Sequence, residues 1–186
     1  MRLFFAVHAG DAIAGQVWRN IEDSGICRAP WRWIRPENYH FTLKFLGDID
    51  GELLPSLKDA ARRAASRAEP FRLTMGGIGG FPDIDRPRVI YYGIEEGFGE
   101  LRDLARLIED ECGTIGFERE RRRFQAHLTL ARVKKPPPVE ALDAIRTFPA
   151  LDEKAVLEAD HFVLMSSRLT PSGAVYEETG RFELGS

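Results

Sequence analysis

The chain has 186 residues, with 26 Lys and Arg against 29 Asp and Glu, a formal net charge of −3 with histidine neutral. Its 44% apolar and 30% charged residues are an ordinary globular composition, which excludes disorder as the main state, and no apolar run approaches the roughly 20 residues a membrane-crossing helix needs. Cys27 and Cys112 stand without CxxC or His-spaced companions, which excludes a disulfide scaffold or zinc knuckle and fits a reducing cytoplasm, while the near-neutral charge argues against a protein that coats nucleic-acid duplexes.

In chain order, residues 3–7 read as a short buried strand, too short and too soon followed by Asp11 for a signal peptide. Asp11 to Glu22 has helical spacing through Ile13, Val17 and Ile21. A loop with Gly25, Pro30 and Pro36 leads to a strand at 39–46, and a helix is expected from Asp50 or Gly51 to about Arg67. Residues 70–78 are extended, and Gly76, Gly77, Gly79 and Gly80 make a bent strand and turn. They are no phosphate cradle, because no Lys-Ser/Thr and no helix follow. Residues 88–94 are β-branched and aromatic, and 98–112 form a helix through Leu101, Leu104, Ala105 and Ile108. After the charged stretch 117–123 come a strand at 126–133, a turn at Pro136-Pro137-Pro138, a short helix near 139–147, and extended stretches at 156–167 and 173–184. Late hairpin-like strand pairs favour an α+β fold with antiparallel sheets over a doubly wound parallel one.

An internal comparison sharpens this. His40-Phe41-Thr42-Leu43 and His127-Leu128-Thr129-Leu130 lie 87 residues apart. Sliding the chain by that offset carries strand 39–46 onto 126–133, helix 51–67 onto 139–147, segment 70–78 onto 157–165 and strand 88–94 onto 175–181. The helix that should follow the second copy is absent, and the N-terminal strand and helix could supply it. The pattern is a duplicated unit with pseudo-two-fold symmetry, one two-lobed domain over 1–186.

Side chains alternate along a strand, so His40 and Thr42 share one face and His127 and Thr129 another, with Phe41, Leu43, Phe45, Leu128 and Leu130 turned away. If the halves pack about a two-fold axis, two imidazoles and two hydroxyls meet in one cleft. Imidazoles titrating near neutrality can act as general acid and base together, and hydroxyls can donate to the oxygens of an oxyanion. No carboxylate cluster offers a magnesium cage, so the fitting chemistry is attack on a phosphodiester with no metal and no other cofactor. A strained 2′,3′-cyclic phosphate with water as nucleophile suits it. Lys44, Arg132, Lys134, Lys135 and the run Arg119, Arg121, Arg122 and Arg123 surround the motifs with positive charge. Glu118 and Glu120 interleave that run, so a self-paired solvated loop competes with a substrate grip. Strict alternation turns Arg132 away from His127, and a bulge would be needed to bring it round. His8 and His161 lack a Thr two residues on and read as structural or surface groups, with His8 a candidate for lining a cleft. Trp31 and Trp33 could stack a base or simply pack.

His40-Phe41-Thr42-Leu43-Lys44-Phe45-Leu46-Gly47 and His127-Leu128-Thr129-Leu130-Ala131-Arg132 resemble the two signature motifs of the 2H phosphoesterase superfamily, in its RNA 2′,3′-cyclic phosphodiesterase branch, also called 2′-5′ RNA ligase. The start Met1–Ala6, the lead-in Trp33–Tyr39 and the ending Leu169–Tyr176 are similar too. The resemblance implies a two-lobed fold with a central cleft and hydrolysis of an RNA 2′,3′-cyclic phosphate end to a 2′-phosphate. His40 would then be the proton donor and His127 the acceptor, with Thr42, Thr129 and Arg132 holding phosphate, and Lys44, directly after the first motif, is a further candidate substrate-binding residue. The partner would be RNA with such an end, tRNA fragments included, or a small cyclic nucleotide, handled by a cytoplasmic monomer. The reverse reaction, 2′-5′ ligation of tRNA halves, and binding of 2′-phosphate ends without turnover are the competing readings. Phe124-Gln125-Ala126 before the second motif and His8 near the start depart from the family pattern.

Overall fold

The computed structural model describes residues 1–135, 138–152, 155–170 and 173–186; the Pro136-Pro137 part of the expected turn lies outside them. Among the described residues, nine strands and four α-helices follow in the order β1 (Arg2–His8), α1 (Gly10–Asp23), β2 (Arg32–Trp33), β3 (His40–Asp48), α2 (Leu54–Ala65), β4 (Phe71–Phe81), β5 (Val89–Ile94), α3 (Phe98–Gly113), β6 (Leu128–Arg132), α4 (Val139–Arg146), β7 (Val156–Ala159), β8 (His161–Thr170) and β9 (Gly173–Glu183). The fold is α+β, and every strand pairing among them is antiparallel. No helix among the described residues is long and apolar enough to cross a membrane.

The helices form because each carries one apolar stripe. Ile13, Ala14, Val17 and Ile21 are the buried face of α1; Leu57, Ala60, Ala61, Ala64 and Ala65 are that of α2; Leu101, Leu104, Ala105, Ile108 and Cys112 belong to α3. The alanines of α2 let it lie close against α3. Gly97 precedes α3 with φ +81, and a Cβ there would stand 2.0 Å from the Arg72 carbonyl oxygen, so only glycine permits this entry. The helices bury these stripes with Leu3, Phe5, Val7, Phe41, Leu128 and Phe162 in one core on one side of the sheet. Each such fully buried large side chain contributes about 1.5–3 kcal/mol. The other side carries only a small apolar cluster of Phe4, Ala6, Val163 and Met165, with Tyr176 against it.

Strand order across the sheet is β7-β4-β5-β6-β3-β1-β8-β9, with β2 as a further partner of β6. The halves meet at β6 and β3, where Phe41 pairs with Leu128, two residues separated by the repeat offset. Strands β3 and β6, and β4 and β8, hold equivalent places, as the offset predicts. The expected match of 88–94 with 175–181 is corrected. Strand β5 lies inside the sheet between β4 and β6, whereas β9 is an edge paired only with β8. The place of β5 is taken in the other half by β1. Consequently β4, which closes the first unit, pairs into the second half, and β8, which closes the second unit, pairs beside β1. The stretch 156–167 is also two strands, broken at Asp160, and β2 has no alternation long enough to read in advance.

Candidate active site

Both motif strands carry the same irregularity. Along β1 and β3, Ala6 pairs with Thr42 and Phe5 with Lys44, so Leu43 is bulged out of register. Along β5 and β6, Tyr91 pairs with Thr129 and Ile90 with Ala131, so Leu130 is bulged. These positions are again one offset apart. A bulge resets the alternation, with two consequences. Arg132 returns to the face of His127 and Thr129, by the bulge that strict alternation required of it. Phe45 also turns to the His40 face and is 68% exposed, so its expected burial on the core side is corrected.

The same reset corrects Lys44. It is 6% exposed on the core side, where its ammonium donates to Glu109 Oε2 at 2.7 Å and to the Glu118 carbonyl at 3.1 Å. Its charge is satisfied there, and removing one partner of such a pair costs about 3–5 kcal/mol. It is a tie between β3 and α3, remote from any phosphate on the open face.

Around the Phe41–Leu128 pair, antiparallel register sets His40 toward Thr129 and Thr42 toward His127. All four are partly buried on the face opposite the core. Each imidazole is held alike. His40 Nδ1 meets the Asn38 carbonyl at 2.7 Å, and His127 Nδ1 meets the Gln125 carbonyl at 2.7 Å. A carbonyl only accepts, so Nδ1 carries the hydrogen in both rings and Nε2 is left for chemistry. Each ring is also boxed by two aromatics. Phe4 and Tyr176 lie 5.1 and 5.3 Å from His40, and Phe81 and Tyr91 lie 5.0 and 5.5 Å from His127. Phe81 and Tyr91 stack at 4.3 Å, with Tyr91 lying across Gly79, where a Cβ would fall 2.5 Å from the ring.

Burial holds the His40 imidazole down at about 4, against the pull of its carbonyl partner; the charges of His8, His127 and Arg132 act in the same direction as burial. Burial lowers His127 too, with the Gln125 carbonyl opposing and Arg132 adding to it. Both histidines therefore feel Arg132, and His40 feels His127, as expected of groups around one cleft. His8 pairs in register with His40, which places it beside the site, and its own basicity is lowered chiefly by burial.

Sequence reasoning missed Arg32. On β2 it pairs across from Arg132, so the two side chains share a face. Neither has an ion-pair partner among the described residues. Two neighbouring unpaired guanidiniums repel one another and favour an anion between them. The two-residue length of β2 hid this signal. Trp31 is buried in the core and Trp33 is partly buried against it, with rings 5.5 Å apart. His161 bonds Asp160 at 2.5 Å. With Glu183 these form the one group among the described residues spaced for a shared metal ion, and it contains neither motif histidine. Arg181 already bonds Glu183 at 2.7 Å and lies 3.2 Å from His161 Nδ1. A hollow of about 580 Å³ between Met1, Arg2, Asp48 and Ser166–Arg168 lies at the opposite end of β1 from His8.

The model of the LigT like Phosphoesterase family matches residues 16–91 and 93–176. The chain is 35% identical to an RNA 2′,3′-cyclic phosphodiesterase of Archaeoglobus fulgidus, over 98% of this chain and 100% of that one. It is 32% identical to one of Methanothermobacter thermautotrophicus, over 99% of each. Among solved structures it is similar to a protein of Thermus thermophilus, with TM-score 0.80 and 29% identity over 100% of this chain and 98% of that one. It is also similar to E. coli LigT complexed with 3′-AMP, with TM-score 0.78 and 26% identity over the same shares.

Proposed function

The chain belongs to the LigT-like phosphoesterase family, and from that premise we propose that it is an RNA 2′,3′-cyclic phosphodiesterase using His40 and His127 as its acid–base pair. The observation that carries this reading is the matched pair of imidazoles. Two rings on adjoining strands are each anchored through Nδ1 to a carbonyl two residues back, and each leaves Nε2 free. Water adds to phosphorus and the bond from phosphorus to the 3′ oxygen breaks. His127 Nε2 takes the proton of the water and His40 Nε2 gives one to the departing oxygen, leaving a 2′-phosphate and a 3′-hydroxyl. The Thr42 and Thr129 hydroxyls donate to the non-bridging oxygens. Arg132 and Arg32 offset the anionic charge. The substrate is an RNA end, tRNA fragments included, or a small cyclic nucleotide.

The acid needs its proton supplied by circumstance. His40 is depressed further than His127, so the free site would charge His127 first. The assignment of donor to His40 follows the family resemblance. A bound phosphodiester anion favours the imidazolium of both rings, so the acid forms with substrate in place, and the choice of ring is the one that the resemblance gives.

The test is release of 2′-phosphate from a short oligonucleotide ending in a 2′,3′-cyclic phosphate, with chelator present. The wild type turns it over, and His40→Ala and His127→Ala each lose at least about 100-fold with the far-UV spectrum unchanged. Full activity in either variant would remove that histidine from the mechanism.

A further inference from the structure

The two motif strands are equivalent by fold, but not at one position. The bulges bring residue 45 of β3 and residue 132 of β6 to the same face by the same geometry. One is a phenylalanine and the other an arginine. Beside each lies a basic segment: Arg32 next to Arg132, and the loop of residues 118–123 next to Phe45. Because β3 and β6 run antiparallel away from the Phe41–Leu128 pair, these positions mark opposite ends of the cleft. The Arg32–Arg132 end is purely cationic and suits the terminal phosphate. The Phe45 end combines an exposed ring with guanidiniums.

The loop resolves the ambiguity of its sequence. Arg119 is consumed by Asp110 at 2.6 Å. Glu120 folds back onto the Arg122 amide at 3.0 Å, while its own amide donates to Glu109. The Glu118 carbonyl receives Lys44 and docks the loop against β3. What remains is Arg121, Arg122 and Arg123, all exposed, none with an ion pair among the described residues. With Phe45 at one wall, Arg121 and Arg122 border a hollow of about 390 Å³. Phe45 lies five residues along β3 from His40, and the ring of Phe4 bridges the two, 5.9 Å from Phe45 and 5.1 Å from His40, so one aromatic ring separates the Phe45 ring from the imidazole. An exposed aromatic beside unpaired arginines at that reach has the composition of a single-strand platform, where a base stacks and the backbone is neutralised.

We propose that Phe45 and Arg121–Arg123 form the track that holds the RNA strand leading up to the cyclic end, with a base on Phe45 and phosphodiesters on the three arginines. This rests on the phosphodiesterase reading of the site and extends it from a reacting group to a polymer with a defined direction: the body of the strand leaves over β3, and the terminal phosphate points toward Arg132.

The experiment compares kcat/KM for a 2′,3′-cyclic mononucleotide and for an eight-nucleotide RNA with a 2′,3′-cyclic end, in the wild type, in Phe45→Ala, in Phe45→Trp and in the triple variant Arg121→Ala, Arg122→Ala, Arg123→Ala. Phe45→Ala lowers the octamer value on the order of tenfold, as loss of one stacked base does, and leaves the mononucleotide unchanged; Phe45→Trp retains the octamer value. The triple variant flattens the salt dependence of the octamer, by roughly 0.7 in log–log slope for each phosphate that is no longer neutralised. Equal losses on both substrates, or none on the octamer, overturn the track while leaving the catalytic reading intact. If the wild type turns over neither substrate, the catalytic reading is the one that fails. Fluorescence polarisation of an octamer ending in a 2′-phosphate then decides the track: weaker binding by the same variants supports it, and unchanged binding overturns it.

Discussion

Histidine at this site is tuned by what surrounds it more than by its own chemistry. The Nδ1 bonds fix tautomer and direction, and burial then sets basicity. Because kcat/KM reports ionisations of the free enzyme, and His40 sits at about 4 with His127 also below its ordinary 6.5, the kcat/KM profile should peak on the acid side of 6.5. The profile of kcat, read with an anion bound that favours both imidazoliums, should peak at higher pH. The two limbs belong to the coupled pair. A kcat/KM maximum well above 6.5 would mean that other groups titrate. At this scale the residue types were legible from the sequence: two His-x-Thr pairs in strand context announce acid–base work. Their neighbours were not. Lys44 and Phe45 exchange faces because of a bulge at Leu43, and nothing in the alternation of Phe41, Leu43 and Phe45 announces it. Arg132 came round for the same reason at Leu130.

Elements carry the site through contacts that propensity does not record. Tyr91 is held against His127 because β4 offers it Gly79, a position without a side chain in its path. Gly79→Ala would push that ring aside and loosen the wall of the imidazole pocket. The expected outcome is a fall in kcat/KM of about ten- to a hundredfold, the cost of sub-ångström misplacement near a reacting group, with the far-UV spectrum retained. The double variant Gly79→Ala, Tyr91→Ala should be no worse than Tyr91→Ala alone, since the clash is then gone; additive losses would point to a backbone defect in β4. Helices α1 and α3 and the strands of the motifs could be read in advance from periods of 3.6 and 2. The two-residue β2, and with it Arg32, could not, because one hydrogen-bonded step leaves no pattern to detect.

For the whole molecule, the repeat was visible and its wiring was not. Offset matching pairs like with like along the chain, but the sheet exchanges β4 and β8 between halves, a choice made by long-range pairing that no local segment encodes. The exchange predicts how the protein unfolds. Trp18, Trp31 and Trp33 all precede the first motif strand, yet their fluorescence and the far-UV signal of the entire chain should lose structure at one denaturant midpoint. Two separated midpoints would mean that each half stands by itself. The same wiring bears on how RNA enters. Each half of the sheet draws strands from both parts of the chain, while in the sheet the two halves adjoin only through β3 and β6, where Phe41 and Leu128 are the one paired step among the described residues. A hinge along that seam breaks a single ladder step and leaves β4 and β8 paired within their own halves. His40 and His127 stand on the two sides of that seam, so the gap between the imidazoles is the dimension of the groove that the sheet ladder holds least firmly.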